Sequence, residues 1–187
     1  EMRAEMIASM KYWVTQFNID GFRCDVADWV PVDFWNDARK ELDKVKPVFM
    51  LAEAENPQHH VAAFDMSYGW NFHHIMNEVA KGKQNASDVK KYLISDETHF
   101  PSNAMRMHFT SNHDENSWNG TEMERMGDAK EALAVLTYCA DGMPLIYSGQ
   151  ETSLKKRKNF FEKDTILWNK MDKVDFYTHL NKKKKKN

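Results

Sequence analysis

At 187 residues, 42% hydrophobic and 12% aromatic, the chain is long enough and apolar enough to bury one well-packed core. Its net charge of -2 gives no electrostatic case for nucleic acid or an acidic membrane as partner. No apolar run approaches the roughly 20 residues of a membrane helix, and Cys24 and Cys139 lack any metal-ligand or redox spacing, so each reads as a small buried residue.

The chain opens on Glu1 inside a helical pattern, without an initiator or a signal-peptide core, and reads as the middle of a longer protein. Met6, Ile7, Met10, Trp13, Val14 and Phe17 recur at three- and four-residue steps, which predicts an amphipathic helix. A turn at Asn18–Gly21 leads into a short strand from Gly21 to Asp25. Asp33 is the expected N-cap of a helix carrying Phe34, Ala38, Leu42 and Val45. Lys46-Pro47 stops that helix, and Val48 to Glu53 is an apolar run ending on a carboxylate.

The same grammar repeats downstream. Ala62 to Tyr68 predicts a strand, Phe72 to Ala80 a helix, and Ser87 caps a further helix through Leu93. Met105 to Ser111 reads as a strand running into polar residues. Asp128 to Ala140 is helical, Asp141-Gly142 is a turn, and Met143 to Ser148 is a last buried strand. Met76, Met105, Met107 and Met143 read as core filling. The run Lys182 to Lys186 reads as a solvated helix end. Alternating strands and helices predict an α/β fold with parallel strands and helical crossovers. No linker or repeat divides residues 1–187, which therefore form one domain or part of one.

Three acids fall at or just past predicted strand ends: Asp25, Glu53 and Asp114. In a β/α barrel those ends form one rim, where loops build the active site. Arg23 and Asp25 share a strand face, and a guanidinium there favours an ionised carboxylate, either as a structural ion pair or as a nucleophile. Glu53 emerges from four apolar residues, the water-poor setting of a general acid; Glu55, on the same face, is its competitor. Thr110 to Asn116 is dense in groups able to hold sugar hydroxyls, or to form a turn-rich loop.

Gly21-Phe22-Arg23-Cys24-Asp25, Ala52-Glu53, Asn112-His113-Asp114 and Pro144 to Glu151 resemble, in order and spacing, the strand-end motifs of the α-amylase family, glycoside hydrolase family 13. Phe160-Phe161-Glu162-Lys163-Asp164 resembles the sequence after that family's last strand. The resemblance implies a (β/α)8 TIM barrel, present here as its fourth to eighth strands over residues 1–187. It implies a retaining glycosidase with Asp25 as nucleophile, Glu53 as acid/base and Asp114 binding the sugar at the cleavage site. Arg23 would orient Asp25, and Asn112, His113 and Trp118 are taken with it as substrate-binding residues. The implied partner is an α-glucan or maltooligosaccharide. No cofactor is required, with calcium open in the full-length parent.

The pattern departs after Asp25, where Val26-Ala27-Asp28-Trp29 stands in place of a Lys-His pair that contacts sugar or calcium in many starch-degrading members. Val26 resembles members acting on α-1,6 bonds or on both linkages. The alternatives to α-1,4 hydrolysis are a neopullulanase- or cyclomaltodextrinase-like or α-1,6-acting member, a transglycosylase, and a non-catalytic relative. Trp29, Tyr68, Trp70 and Trp118 lie in loops near the rim and read first as packing, with Trp118 as the sugar-platform candidate. The pairs His59-His60 and His73-His74 lack a partner at metal-ligand spacing and read as structural or solvated.

Overall fold

A computed structural model describes residues 1–185, and Lys186, the end of the predicted lysine run, lies outside them. The chain forms two compact units, Glu1–Tyr68 with Ile94–Arg106, and Gly69–Leu93 with Met107 onward.

The first unit begins with α1 (Met2–Phe17). The predicted apolar stripe splits there. Val14 is buried and Ile7 and Met10 pack beside it, whereas Met6, Trp13 and Phe17 are exposed. Tyr12, Trp13 and Phe17 instead pack on one another at the surface, with Trp13 and Phe17 ring centroids 4.8 Å apart. Asn18, in the left-handed conformation at φ 51°, ends the helix.

β1 (Gly21–Cys24) pairs in parallel with β2 (Phe49–Ala52), Gly21 opposite Phe49 and Cys24 opposite Ala52. A Cβ on Gly21 would lie 1.8 Å from the Phe49 carbonyl oxygen, so only glycine permits this approach. β3 (Met66–Tyr68) extends the parallel set, with Leu51 opposite Met66. It is shorter than the predicted strand because His59 and His60 lie in a 3-10 turn, Pro57–His60, and residues 61–63 turn as well.

Between β1 and β2 runs α2 (Val32–Asp43). Asp33 is not its N-cap. Pro31 occupies that position, and Asp33 sits in the first turn, bonded to Arg3 at 2.8 Å. Phe34, Trp35 and Leu42 are buried against Met50, Ala52 and Phe64, and Ala38 is buried on the same helix. Burial of each large side chain contributes about 1.5–3 kcal/mol.

A buried cation closes this unit. Arg106, at 3% exposure, donates to the Tyr68 carbonyl at 2.9 Å, to Glu55 at 2.8 Å, to Asp96 at 3.1 Å and to the Ser67 hydroxyl. Its guanidinium carbon also stands 3.9 Å from the centre of the Phe100 ring. A buried charge is tolerable only with such full pairing.

In the second unit, α3 (Trp70–Ala80) buries Phe72 and Met76, and Phe72 stacks on Tyr92 at 5.0 Å. Tyr92 lies in α4 (Ala86–His99), whose last residues belong to the first unit. Asn85, not Ser87, caps α4: its Oδ1 accepts from the Ser87 backbone N–H at 2.8 Å. β4 (Met105–His108) pairs in parallel with β5 (Met143–Pro144), Met107 opposite Met143.

β5 is two residues long, against the buried run predicted from Met143 to Ser148. Pro144 supplies no N–H, and the Tyr147 N–H turns to the Gln150 side chain at 2.5 Å. Met143 and Met105 are exposed, so only Met76 and Met107 fill core as expected. A capping box of Thr121 and Glu124 starts α5 (Glu122–Met126). α6 (Lys130–Cys139) and α7 (Val174–Lys184) pack through Ala134, Tyr138 and Tyr177. Both cysteines are free, and Cys139 is exposed rather than buried. No helix of the described residues is long and apolar enough to cross a membrane.

Candidate active site

In the first unit, Asp25 and Glu53 each follow the last residue of a strand, Cys24 and Ala52, which are paired. The two carboxylates thus leave neighbouring parallel strands at the same level. Arg23 gathers them, its Nη1 bonding Asp25 and its Nη2 standing 3.0 Å from Glu53 Oε1. Arg23 Nε donates to the Tyr68 hydroxyl at 3.1 Å. Burial works against the guanidinium's charge, yet the bonds to Tyr68 and Asp25 prevail and raise its pKa. The fork stays cationic.

The carboxylates differ in setting. Asp25 is 77% exposed and Glu53 16%. Glu53 Oε2 accepts from the Val26 backbone N–H at 2.8 Å. Val26 is held in the left-handed region at φ 45° and ψ 45°, a conformation that costs a β-branched residue roughly 1–2 kcal/mol. The apolar strand predicted to surround Glu53 stops at Ala52, and the carboxyl itself lies among a guanidinium and an N–H. Glu55 is committed to Arg106 through Oε1, and its N–H donates to Asp28 Oδ2 at 3.2 Å.

In the second unit, Asn112, His113 and Asp114 lead into a π-helical turn, Glu115–Asn119. Such turns often mark functional sites. His113 Nε2 stands 3.3 Å from Asp114 Oδ2, with His113 48% and Asp114 27% exposed. Asn112 is 1% exposed, and its Oδ1 accepts from the Glu115 N–H at 2.8 Å, a bond that shapes the start of the turn.

Glu115 anchors the turn from below, 2.9 Å from His73 and 3.9 Å from Arg125. Burial pushes the Glu115 pKa up, but bonds to His73 and Asn119 with the Arg125 charge outweigh it and hold the carboxyl at about 2. Arg125 in turn donates to the Gly120 and Thr110 carbonyls at 2.9 and 2.8 Å.

A cavity of about 240 Å³ opens beside this turn, lined by His113, Ser117, Tyr147, Lys158, Phe160 and Asp164 among others. Lys158 Nζ lies 4.2 Å from the centre of the Tyr147 ring and donates to the Ser148 carbonyl at 2.8 Å. Burial, then the charges of Asp114 and Asp164, raise the Tyr147 pKa. Lys156 above all, with two backbone N–H groups, holds Asp164 at about 2.

Of the four aromatic candidates, Tyr68 is buried under Arg23, and Trp70 packs on Phe109 at 5.0 Å. Trp29 and Trp118 are exposed. His59, His60 and His73 are buried structural residues, while His74 is exposed. Among the described residues no group of three or more His, Cys, Asp or Glu is arranged to hold a metal. Asp28 does not fit a calcium contact, since it turns Oδ1 to His59 Nε2 at 2.9 Å and Oδ2 to the Glu55 N–H.

Residue types alone did not reveal Tyr68 as the partner of Arg23, Asn116 as a buried tie, or Lys158 at the cavity. Tyr68 and Lys158 owe their roles to contacts 45 residues and 11 residues away in sequence, respectively with Arg23 and Tyr147. Asn116 lies in a motif dense in polar residues, and nothing in that density singles it out.

The whole chain, residues 1–187, matches the family model for the catalytic domain of α-amylase. α-Amylase MalA of Haloarcula japonica is 26% identical over 92% of this chain, which spans 25% of that relative's length. The noncanonic maltogenic α-amylase AmyB from Thermotoga neapolitana superposes with a TM-score of 0.86 at 30% identity, covering 99% of this chain and 44% of its own. An α-amylase from Lactobacillus plantarum gives 0.86 at 28% identity, covering 98% and 47%. The α/β architecture is accordingly that of part of a (β/α)8 barrel, and the chain belongs to the α-amylase catalytic-domain family.

Proposed function

We propose that this chain carries catalytic residues of a retaining α-glucan hydrolase acting on starch-like glucans or maltooligosaccharides. Asp25, the more exposed carboxylate, attacks the anomeric carbon and forms a covalent glycosyl-enzyme. Glu53 protonates the leaving glycosidic oxygen, then takes a proton from the water that releases the sugar. Asp114 holds the sugar at the cleavage site, with His113 beside it. The reaction draws on side chains alone and calls for no cofactor.

The observation that carries this reading is the Arg23 fork, which holds Asp25 through one Nη and Glu53 through the other. Retaining chemistry uses two carboxyls about 5–5.5 Å apart, closer than the pair of an inverting site, and one guanidinium that contacts both acids favours the closer arrangement. The guanidinium keeps Asp25 ionised for attack. It also supplies fixed positive charge beside Glu53 after that residue has given up its proton. An acceptor sugar arriving before water would turn the same intermediate to transfer.

The decisive experiment is Asp25→Asn in the full-length protein, assayed on starch, pullulan and cyclodextrins. Turnover should fall at least about 10³-fold on every substrate the wild type cleaves. Unchanged turnover would remove Asp25 from the reaction. Product anomers released by the wild type test the stereochemistry: α-products are expected, and β-products would sink the retaining assignment.

A further inference from the structure

We infer that Glu115 is a positioning residue for Asp114: with His73 and Arg125 beneath it, it fixes the turn that presents the Asp114 carboxylate to the sugar. The inference rests on the reading of Asp114 as the residue that holds the sugar at the cleavage site.

Asp114, 27% exposed, stands at the start of the π-helical turn, so the backbone on either side sets where its carboxylate points. The next residue is held from three directions. Glu115 Oε2 lies 2.9 Å from His73 Nε2, its Oε1 accepts from Asn119 Nδ2 at 2.9 Å, and its N–H donates to Asn112. His73 is itself fixed. It is 0% exposed, its Nδ1 donates to the Phe109 carbonyl at 3.1 Å, and its ring stacks on the Phe109 ring at 4.8 Å.

Arg125 clamps both ends of the same loop. Its Nη2 donates to the carbonyl of Thr110, before the Asn112-His113-Asp114 motif, and its Nε to the carbonyl of Gly120, just past the turn. Its Nη1 lies 3.9 Å from Glu115 Oε2 and donates to Asn77 Oδ1 at 3.0 Å. Asn77 in turn donates to the His73 carbonyl at 2.9 Å, which ties α3 to α5 under the turn. Asn116, 3% exposed, holds the other side: its Oδ1 accepts from the Lys158 N–H at 2.8 Å, and its Nδ2 donates to the Lys156 carbonyl at 3.2 Å.

Stability alone does not account for so many buried charges. Apolar residues of similar volume often replace a buried ion pair at no cost. Hydrogen bonds are directional, however, and they hold a backbone at defined points, which apolar packing does less sharply. A group that must meet a sugar in its transition state needs placing to within about 0.5 Å. The cluster therefore suits the residue beside it better than it suits the core.

The test is a double-variant cycle in the full-length protein, with maltoheptaose as substrate. Glu115→Gln keeps the volume and removes the charge; it should lower kcat about tenfold while KM changes less than about twofold. Asp114→Asn should lower kcat at least about 10²-fold, and adding Glu115→Gln to it should cost less than about a further twofold, since nothing remains to be positioned. A purely structural Glu115 would lower the urea midpoint and leave kcat of the folded enzyme unchanged. That outcome, or a full tenfold loss in the Asp114→Asn background, overturns the inference. Asn119→Ala removes an exposed partner of Glu115. It should lower kcat about threefold with the same dependence on Asp114, and it decides the matter if Glu115→Gln does not fold.

Crystal structures of the wild type and of Glu115→Gln or Asn119→Ala separate the two readings. The Asp114 carboxylate should hold one position in the wild type, and in the variant shift by about 1 Å or divide between two positions. That displacement supports the positioning role even if the wild type cleaves no glucan, a result that would sink the proposed reaction alone. An unmoved Asp114 overturns the positioning role.

Discussion

The Arg23 guanidinium stands 3.0 Å from the Glu53 carboxylate while its other Nη holds Asp25, so one planar cation fixes the spacing of two acids from adjacent strands. Lysine carries the same charge without the fork. Arg23→Lys should therefore lower kcat/KM about a hundredfold, ~3 kcal/mol of transition-state stabilisation, while the circular dichroism spectrum stays that of the wild type. A loss below threefold would show that the two carboxylates keep their places without the fork.

Glu53 and Glu55 are separated by one residue and by their partners. Glu53→Gln should lower kcat between about 10² and 10⁴ with a small effect on unfolding. Glu55→Gln should do the reverse, because it weakens a hydrogen bond to the buried Arg106 charge, at a cost of about 2 kcal/mol. Urea unfolding and steady-state kinetics on both variants check the pair. Catalytic loss in Glu55→Gln with an active Glu53→Gln would transfer the acid/base role to Glu55.

Acid should weaken the first unit in a defined window. Burial, reinforced by the Arg106 charge and the neighbouring His59, lowers the His60 pKa from 6.5 to about 4. The Phe64 backbone bond and, after it, the Asp65 charge act in the opposite direction, and Ser67 faces the ring at 2.7 Å. A histidine with a depressed folded pKa binds more protons when unfolded, so stability falls as pH drops from 6.5 to about 4 and levels off below. The loss amounts to roughly 3 kcal/mol. Urea midpoints measured between pH 8 and pH 4 should show it, and His60→Gln should flatten the profile. Glu115, held at about 2, adds a separate loss only below pH 4.5.

Val26 stores strain. The residue is 37% exposed and so only partly buried, and asparagine tolerates the left-handed region better than valine. Val26→Asn should stabilise by about 1 kcal/mol in thermal or urea unfolding and preserve the N–H bond to Glu53. Destabilisation would mean that the valine side chain contributes packing greater than the backbone cost.

Much of this is legible in the sequence itself. The strand before Glu53 follows from an apolar run that ends on a carboxylate and the one before Asp25 from a short segment after a turn, each stopping one residue short of the predicted end. α3 and α6 follow as predicted helices. What escaped depends on contacts distant in sequence. The exposure of Trp13 and Phe17 and the brevity of β5 are set by neighbours rather than by period. Asp33 lost the cap to Pro31, whose backbone geometry starts the helix two residues earlier. For Glu53, an apolar lead-in described the strand correctly but not the carboxyl, which lies beyond it among Arg23 and Val26. Motif resemblance supplied the candidate acids, whereas the ties made by Tyr68, Asn116 and Arg106 required a fold to be seen.

Arg106 also sets an order of events during synthesis. The first unit is interrupted in sequence, with Gly69–Leu93 of the other unit intervening before Ile94–Arg106 returns to it. Until residue 106 has left the ribosome, Glu55, the Tyr68 carbonyl and the Ser67 hydroxyl await their shared cation. Closing that 51-residue separation between Glu55 and Arg106 carries a chain-entropy cost that local helices avoid. The proposed nucleophile and acid/base therefore leave the ribosome before the cation that closes the cluster behind them.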